Sequence, residues 1–256
     1  MVGRPVATPN VRTDNALVRR LEAHALTAWP ATISETTPDG WTLRATPGLD
    51  RGRSNNALTP CRELCPTELA PALERVAEFA RRHGIRPGIQ VSPAHLHGAL
   101  LAELDARGWC TQWPTVVMTR PPEHSLAPPR PRPTVDDEAT PEWLGAWRRC
   151  EGRGDVEAHA STVFALLRGR ARFARLGEDA VAIAVPAGGL VGLFCIAVAP
   201  ERRRTGLASA LIEAVVADAR GAMPYLQVEA RNAGAIALYE RLGFTEAYRY
   251  VHRTQP

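Results

Sequence analysis

The stretch that most constrains this chain runs from Leu190 through Val198-Ala199-Pro200-Glu201-Arg202-Arg203-Arg204-Thr205-Gly206-Leu207-Ala208 to Ala219. Leu190 to Val198 is almost continuously apolar, as a strand buried on both faces requires. Pro200 has no N–H to give to a sheet ladder, so it ends that strand. Beyond it, Leu207, Ala210, Leu211, Ala214, Val215 and Ala219 fall on one face of a helix. The start of a helix leaves backbone N–H groups without intrahelical partners and carries the positive end of the helix dipole. Gly206 and Ala208 leave that backbone open to a ligand, and three consecutive arginines add positive charge. A pyrophosphate suits such a site. A plain helix start with no ligand is the bland reading of the same residues.

A companion element lies downstream: the strand-like Leu226 to Ala230, Asn232, and a helix from Ala233 that reaches Tyr239 and ends before Gly243-Phe244. The two stretches fit V-x-P-x-x-R-R-x-G-x-A and N-x-x-A-x-x-L-Y-x-x-x-G-F at every position. Together they closely resemble the acyl-CoA site of the GNAT N-acetyltransferases. The resemblance covers residues 190–252 in detail. It implies an α/β fold on a mixed sheet and acetyl-CoA as acyl donor. It also implies an acyltransferase reaction in which an amine attacks directly within a ternary complex. The pyrophosphate would rest on the backbone from Arg203 and Arg204 through Thr205, Gly206 and Leu207 to Ala208. The pantetheine would lie along Ile196 to Val198 like an added strand, with Asn232 touching the cofactor.

Acetyl transfer to an amine needs a held donor, a stabilised carbonyl oxygen, a base for the amine and an acid for the leaving thiolate. By the resemblance, Tyr239 is the acid, because a phenol stays protonated at neutral pH. On spacing alone it would be a core tyrosine among Ile236, Leu238 and Leu242. Asn232 is equally well placed to cap the helix at Ala233. No base is evident. The ribosomal-protein N-terminal acetyltransferases, which the C-terminal half resembles, carry a glutamate where this chain has Gln227, and an amide cannot take a proton. Glu229 lies on the same strand face two residues on and is the first candidate, with a surface or ion-paired glutamate as the alternative. Glu157 and His159 are weaker ones. The acceptor is therefore expected to be a small-molecule amine. The alternatives are a protein N-terminus, or an interaction protein that binds acyl-CoA without turnover.

The N-terminal half repeats the plan. Helices are expected over Asn15–Trp29, Pro66–His83 and Ala94–Arg107, a hairpin over Thr32–Thr46 turned at Pro38-Asp39-Gly40, and strands at Ile89–Ser92 and Trp109–Thr119. Gln90-Val91 then matches Gln227-Val228, and Gly108-Trp109 matches Gly243-Phe244. The chain reads as two tandem GNAT-like copies: a degenerate one at 1–120, a Pro-rich linker at 121–133 and a competent one at 134–256. In the first copy Cys61 to Pro66 replaces the phosphate loop and Leu104 stands near the tyrosine position, so its expected role is scaffold and substrate wall. In the second copy helices are expected at Pro141–Cys150 and Ala158–Arg168, separated by glycines 152 and 154, with two strands over Arg172–Val185.

Composition excludes other classes. A formal charge of +4 is too mild for nucleic-acid binding without a patch. All 31 basic residues are arginine, so the chain has no lysine to acetylate on itself. No signal peptide is expected, and no apolar run of membrane-spanning length is present in the sequence. The five scattered cysteines suggest no disulfide framework. A cytoplasmic monomer or homodimer is expected. His95-x-His97 sits at a helix start where the two rings diverge, and Cys61-x-x-x-Cys65 lacks a second pair, so no metal is expected. Tryptophans 29, 41, 109, 113, 143 and 147 read as core or interface. Arg51-x-Arg53 with Asn55-Asn56 reads as a polar turn able to meet an anionic substrate group, or as a solvated loop.

Overall fold

The computed structural model describes residues 14–122, 131–151, 155–219 and 221–256; the tail before Asp14, linker residues 123–130 and the glycines at 152 and 154 lie outside the described residues. The N-terminal half runs α1 (Asn15–Ala28), β1 (Ile33–Thr36), β2 (Thr42–Ala45), β3 (Asn56–Leu58), α2 (Pro66–Arg82), β4 (Gly88–Val91), α3 (Gly98–Ala106) and β5 (Cys110–Thr119). The C-terminal half opens with β6 (Thr134–Asp136), α4 (Pro141–Glu151) and α5 (Val156–His159), which passes through a π turn at Ala160–Phe164 into α6 (Ala165–Leu167). It continues with β7 (Arg172–Leu176), β8 (Ala180–Ala187), β9 (Leu190–Val198), α7 (Leu207–Asp218), β10 (Met223–Glu229), α8 (Ala233–Arg241) and β11 (Thr245–Thr254).

Helix starts follow their local chemistry. Asp14 accepts from the Ala16 N–H at 2.8 Å to open α1. Pro66 begins α2, and Glu68 reaches back to the Cys65 N–H at 2.7 Å. Two expectations change. Asn56, read as part of a turn, is buried in β3, where its amide donates to Gln90 Oε1 at 3.3 Å. A three-residue strand is too short for alternation to reveal it. The helix expected from Ala94 instead opens as a 3-10 turn over Ala94–Leu96, and α3 restarts at Gly98 after His97 leaves helical geometry at φ −120°.

All eleven strands form one sheet in the order β1-β2-β3-β4-β11-β5-β10-β9-β8-β7-β6. Apart from the edge strand β6, which pairs with β7, the succession from either side is alike: β1, β2 and β3 pair antiparallel and β3 pairs β4 parallel, just as β7, β8 and β9 pair antiparallel and β9 pairs β10 parallel. At the centre β11 lies between β4 and β5, and β5 lies between β11 and β10, all antiparallel. Each half's last strand thus sits beside the other half's penultimate one.

The cores follow from the pleat. Along β8, Val181, Ile183 and Val185 face a core shared with Leu21 of α1 and Trp143 and Trp147 of α4. Ala180, Ala182 and Ala184 face the opposite core with Leu211 and Val215 of α7 and Tyr239 of α8. A third core packs α2 and α3 on β2 to β4 through Leu73, Val76, Leu100 and Leu104. Among the described residues no helix is long and apolar enough to cross a membrane.

Candidate active site

β9 and β10 pair from Leu190–Leu193 to Met223–Leu226 and then part. Just beyond, β9 carries an extra residue relative to β8: Ile183 faces Phe194 while Val181 faces Ala197. Cys195 takes φ +50° there, so the bulge turns the β9 backbone where the strands separate. A cavity of about 930 Å³ opens at this point, walled by Ile196 to Val198, by Arg203, Arg204, Gly206, Leu207 and Ala208, and by Asn232 of the α8 turn.

The cavity meets bare backbone. Gly206 is the N-cap of α7 at φ +87°, a conformation that suits glycine, and it offers no side-chain cap. Nothing lies within 4 Å of the place a Cβ would occupy on it. The first N–H groups of α7 therefore have open space before them and no side chain competing for them. Arg204 is also left-handed, at φ +65°. Arg203 donates to the Val198 carbonyl at 3.3 Å, and Arg202 is paired with Asp179 at 3.2 Å.

The predicted residues separate into two groups. Ile196, Val198, Arg203, Arg204, Gly206, Leu207, Ala208 and Asn232 share this wall. Asn232 also accepts from the Ala235 N–H at 3.1 Å, so it is cap and wall at once. Thr205 is not in the wall; its hydroxyl donates to the Arg202 carbonyl at 2.6 Å. Tyr239 is buried with its ring packed edge-on to Phe244, behind the wall; burial pushes its phenol up to about 12.

A second cavity of about 280 Å³ adjoins the first. Glu151, the last residue of α4, borders both, and β9 passes from one to the other between Cys195 and Ile196. Gln227 and Glu229 line it together, as residues two apart on one strand face should. Gln227 Oε1 accepts from the Tyr250 hydroxyl at 2.9 Å, and Glu229 Oε2 pairs with Arg231 Nε at 2.6 Å. His159 lines it too; its Nδ1 lies 2.9 Å from the Asp155 carbonyl. A carbonyl can only accept, so Nδ1 carries the proton and Nε2 is left as the acceptor. Burial lowers the His159 pKa, which keeps the ring neutral. Glu157 is elsewhere, on the surface with Arg148.

Much of this cavity's lining comes from the N-terminal half, including Asp50, Arg51, Arg53, Trp113 and Thr115. Arg51 and Arg53 thus reach a site, whereas Asn55 and Asn56 hold the loop and strand behind them. Trp113 corrects the core reading of the tryptophans: it is 41% exposed, at φ +43°, because the irregular pairing of β5 with β11 turns it outward. Sequence reasoning also missed Glu151, which ends an ordinary amphipathic helix and belongs to no motif. His97 is buried, and burial pushes its pKa down to about 4. Among the described residues no three His, Cys, Asp or Glu side chains are grouped to hold a metal.

Comparison with known proteins adds the following. A family model described as "Probable histone acetyltransferase Rv0428c C-terminal" matches residues 15–253. The chain is 53% identical over 58 residues to a [ribosomal protein bS18]-alanine N-acetyltransferase of Escherichia coli K12, and that match spans 22% of this chain and 39% of the relative. A GCN5-related N-acetyltransferase of Kribbella flavida superposes with a TM-score of 0.68 at 16% identity, over 93% of this chain and 95% of the other. A tandem GNAT protein from the clavulanic acid biosynthesis pathway does so at 0.58 and 13% identity, over 98% and 89%.

Proposed function

The chain belongs to the family described as probable histone acetyltransferase Rv0428c, C-terminal, and has the GNAT fold; from that premise we propose that it is an acetyl-CoA-dependent N-acetyltransferase acting on a small-molecule amine. The observation that carries this reading is the meeting of two cavities at the parting of β9 and β10. One is faced by uncapped helix N–H groups; the other is enclosed by side chains able to shape an acceptor.

Acetyl-CoA supplies the activated acyl carbon, and the chain's own groups hold it and move protons. The amides from Arg203 to Ala208 suit a pyrophosphate, and the open space over Gly206 lets it approach. An amide at the β9 bulge polarises the carbonyl from Ile196 to Val198. Tyr239, kept protonated by burial, has a proton to give to the departing sulfur. Glu229, on β10 in the acceptor cavity, remains the candidate base, and Glu151, which borders both cavities, is a second one. The N-terminal unit at 1–120 serves the competent unit at 134–256 as scaffold and substrate wall, a division supported by the mirrored sheet order.

A second reading has its own support. The 58-residue identity is to an enzyme whose name gives the alanine of a ribosomal protein as its substrate. Gln227 argues against transferring that substrate, since its amide cannot act as a base and is engaged by Tyr250. Calorimetric titration with acetyl-CoA, followed by thiol release with a panel of amines, tests the reading. One site per chain and release that depends on an amine are expected. Absence of acetyl-CoA binding refutes it, and binding without release with any amine leaves a non-catalytic acyl-CoA-binding protein.

A further inference from the structure

The acceptor cavity carries one arginine, Arg53, that does not line the donor cavity and has no ion-pair partner among the described residues. Arg53, in the loop between β2 and β3, has its guanidinium carbon 5.6 Å from the Phe194 ring centre and 6.0 Å from that of Trp29. Its Nη2 donates to the Tyr250 hydroxyl at 3.3 Å. Among the described residues no carboxylate lies within ion-pair distance of Arg53, whereas its neighbour Arg51 is matched by Asp155 at 3.2 Å. A small adjoining cavity joins Arg53 to Arg44 and Glu22. Arg44 is buried and donates to the Trp29 carbonyl. Glu22 is fully engaged, accepting from Ser92, from Tyr248 at 2.5 Å and from Gln90 at 3.3 Å. Two guanidiniums thus face one carboxylate that already has its partners. Burial, with Arg53 and Arg44 adding to it, holds the nearby His252 down to about 3, so that ring does not add charge.

The acids lining this cavity are Asp50, next to Arg51 in the same loop, and Glu151 and Glu229 of the second half. Glu151 borders the donor cavity and Arg53 does not. Phe194 and Trp29 flank Arg53, and Trp113 lines the same cavity in a left-handed conformation that a bulky residue rarely adopts. Gly52 lets it stand there: a Cβ on that glycine would come within 2.8 Å of the indole. A guanidinium steadied by two rings, with donors unspent, matches a planar carboxylate and holds it in a fixed orientation.

We propose that the acceptor is a small amine that also bears a carboxylate, an amino-acid-like zwitterion whose carboxylate binds Arg53 while its amine is held towards Glu151 and the donor cavity. This inference rests on the acetyltransferase reading. The ammonium first gives one proton through a base to solvent; the neutral amine nitrogen then forms the new bond to the acyl carbon as the carbon–sulfur bond breaks, and the second proton it loses balances the one gained by the thiolate.

The test measures thiol release from acetyl-CoA with the common L-amino acids, and compares each acceptor found with its methyl ester and its decarboxylated amine. The free carboxylate is expected to raise kcat/KM roughly ten- to hundredfold, the range of a hydrogen bond to a charged group. In Arg53→Met that preference collapses towards unity, and Arg53→Lys restores part of it. Calorimetric affinity for acetyl-CoA, which does not involve Arg53, stays at its wild-type value in both variants and shows that they fold. Esters or decarboxylated amines used as well as the free acids overturn the proposal. So does turnover of peptide N-termini with no amino acid accepted. Failure of the wild-type protein to bind acetyl-CoA would instead remove the acetyltransferase reading itself.

Discussion

Gly206 allows the phosphate-loop assignment to be tested with a matched pair of variants. At φ +87° any L-residue is strained, by about 1–2 kcal/mol for a left-handed non-glycine. With nothing within 4 Å of the new Cβ, no clash adds to that strain. Gly206→Ala and Gly206→Glu therefore share one backbone penalty. For a chain of this size it lowers Tm by about 2–4 °C per kcal/mol in both. They differ in charge. A glutamate carboxylate about 5 Å from a pyrophosphate charge, at an effective dielectric near 20, is repelled by roughly 3 kcal/mol. That corresponds to about a hundredfold in Kd. Thermal denaturation and acetyl-CoA calorimetry on the two variants separate the effects. Equal Tm losses with a Glu variant that binds at least tenfold more weakly than the Ala variant are expected, allowing for screening at about 0.15 M salt. Equal affinity in the two would refute the assignment, because the glutamate puts both bulk and negative charge where the pyrophosphate is assigned and the alanine puts neither.

Tyr239→Phe should lower kcat by about 10²-fold or more, as loss of a general acid does, with acetyl-CoA affinity unchanged by calorimetry; weakened binding with normal turnover would make the hydroxyl a binding group. Arg120 is buried and donates to Glu213 Oε1 at 2.6 Å and to the Leu242 carbonyl at 3.0 Å. Arg120→Met strands the Glu213 carboxylate and should cost about 3–5 kcal/mol in urea denaturation, against about 1 kcal/mol or less if the pair behaves as a surface bridge. Glu22 has its pKa raised from 4.5, chiefly by burial, so the native state binds more protons than the unfolded one above pH 4.5. Wild-type stability contributed by this group is thus fully present below 4.5 and is lost as pH rises through the folded pKa. Glu22→Gln removes that titration, so its stability relative to wild type should increase with pH across the window; a relative stability that falls with rising pH would contradict the cause assigned.

The donor side of the site was legible because each part has a local signature. The apolar run of β9, the stop at Pro200, the helical period of α7 and the Asn232 cap of α8 all act within a few residues of where they are read. The acceptor side was not legible, since its lining is gathered from residues 29, 50–53, 113, 115, 147, 151, 159, 194–195, 227, 229, 250 and 252, and nothing local says that these meet. Arg51 and Arg53 could be singled out by charge, but the rings that give Arg53 its setting, Trp29 and Phe194, read as core from sequence and are core by burial. Trp113 escaped because its exposure depends on a bulge in the pairing of β5 with β11, a tertiary event. The order of the strands was equally hidden: repetition of the plan is visible in the chain, whereas exchange of the last strands is decided by which edges meet.

That exchange explains why a half without a phosphate loop still shapes the site. β5 belongs to the first half, yet it pairs along β10 with Thr115 opposite Glu229 and Val117 opposite Gln227. The two β10 residues that face the acceptor cavity are thus registered by a strand from the other half, and two residues before Thr115 the same strand delivers Trp113 to the cavity wall. Just past its far end, Arg120 ties that strand to α7 through Glu213 and to the end of α8 through Leu242, the helices that open and close the donor cavity. A slip of β5 by one residue would turn its side chains to the opposite faces and pull the buried guanidinium from both partners. The first half therefore contributes position where the second contributes donor binding, and the acceptor preference proposed for Arg53 is a property of the interleaved sheet.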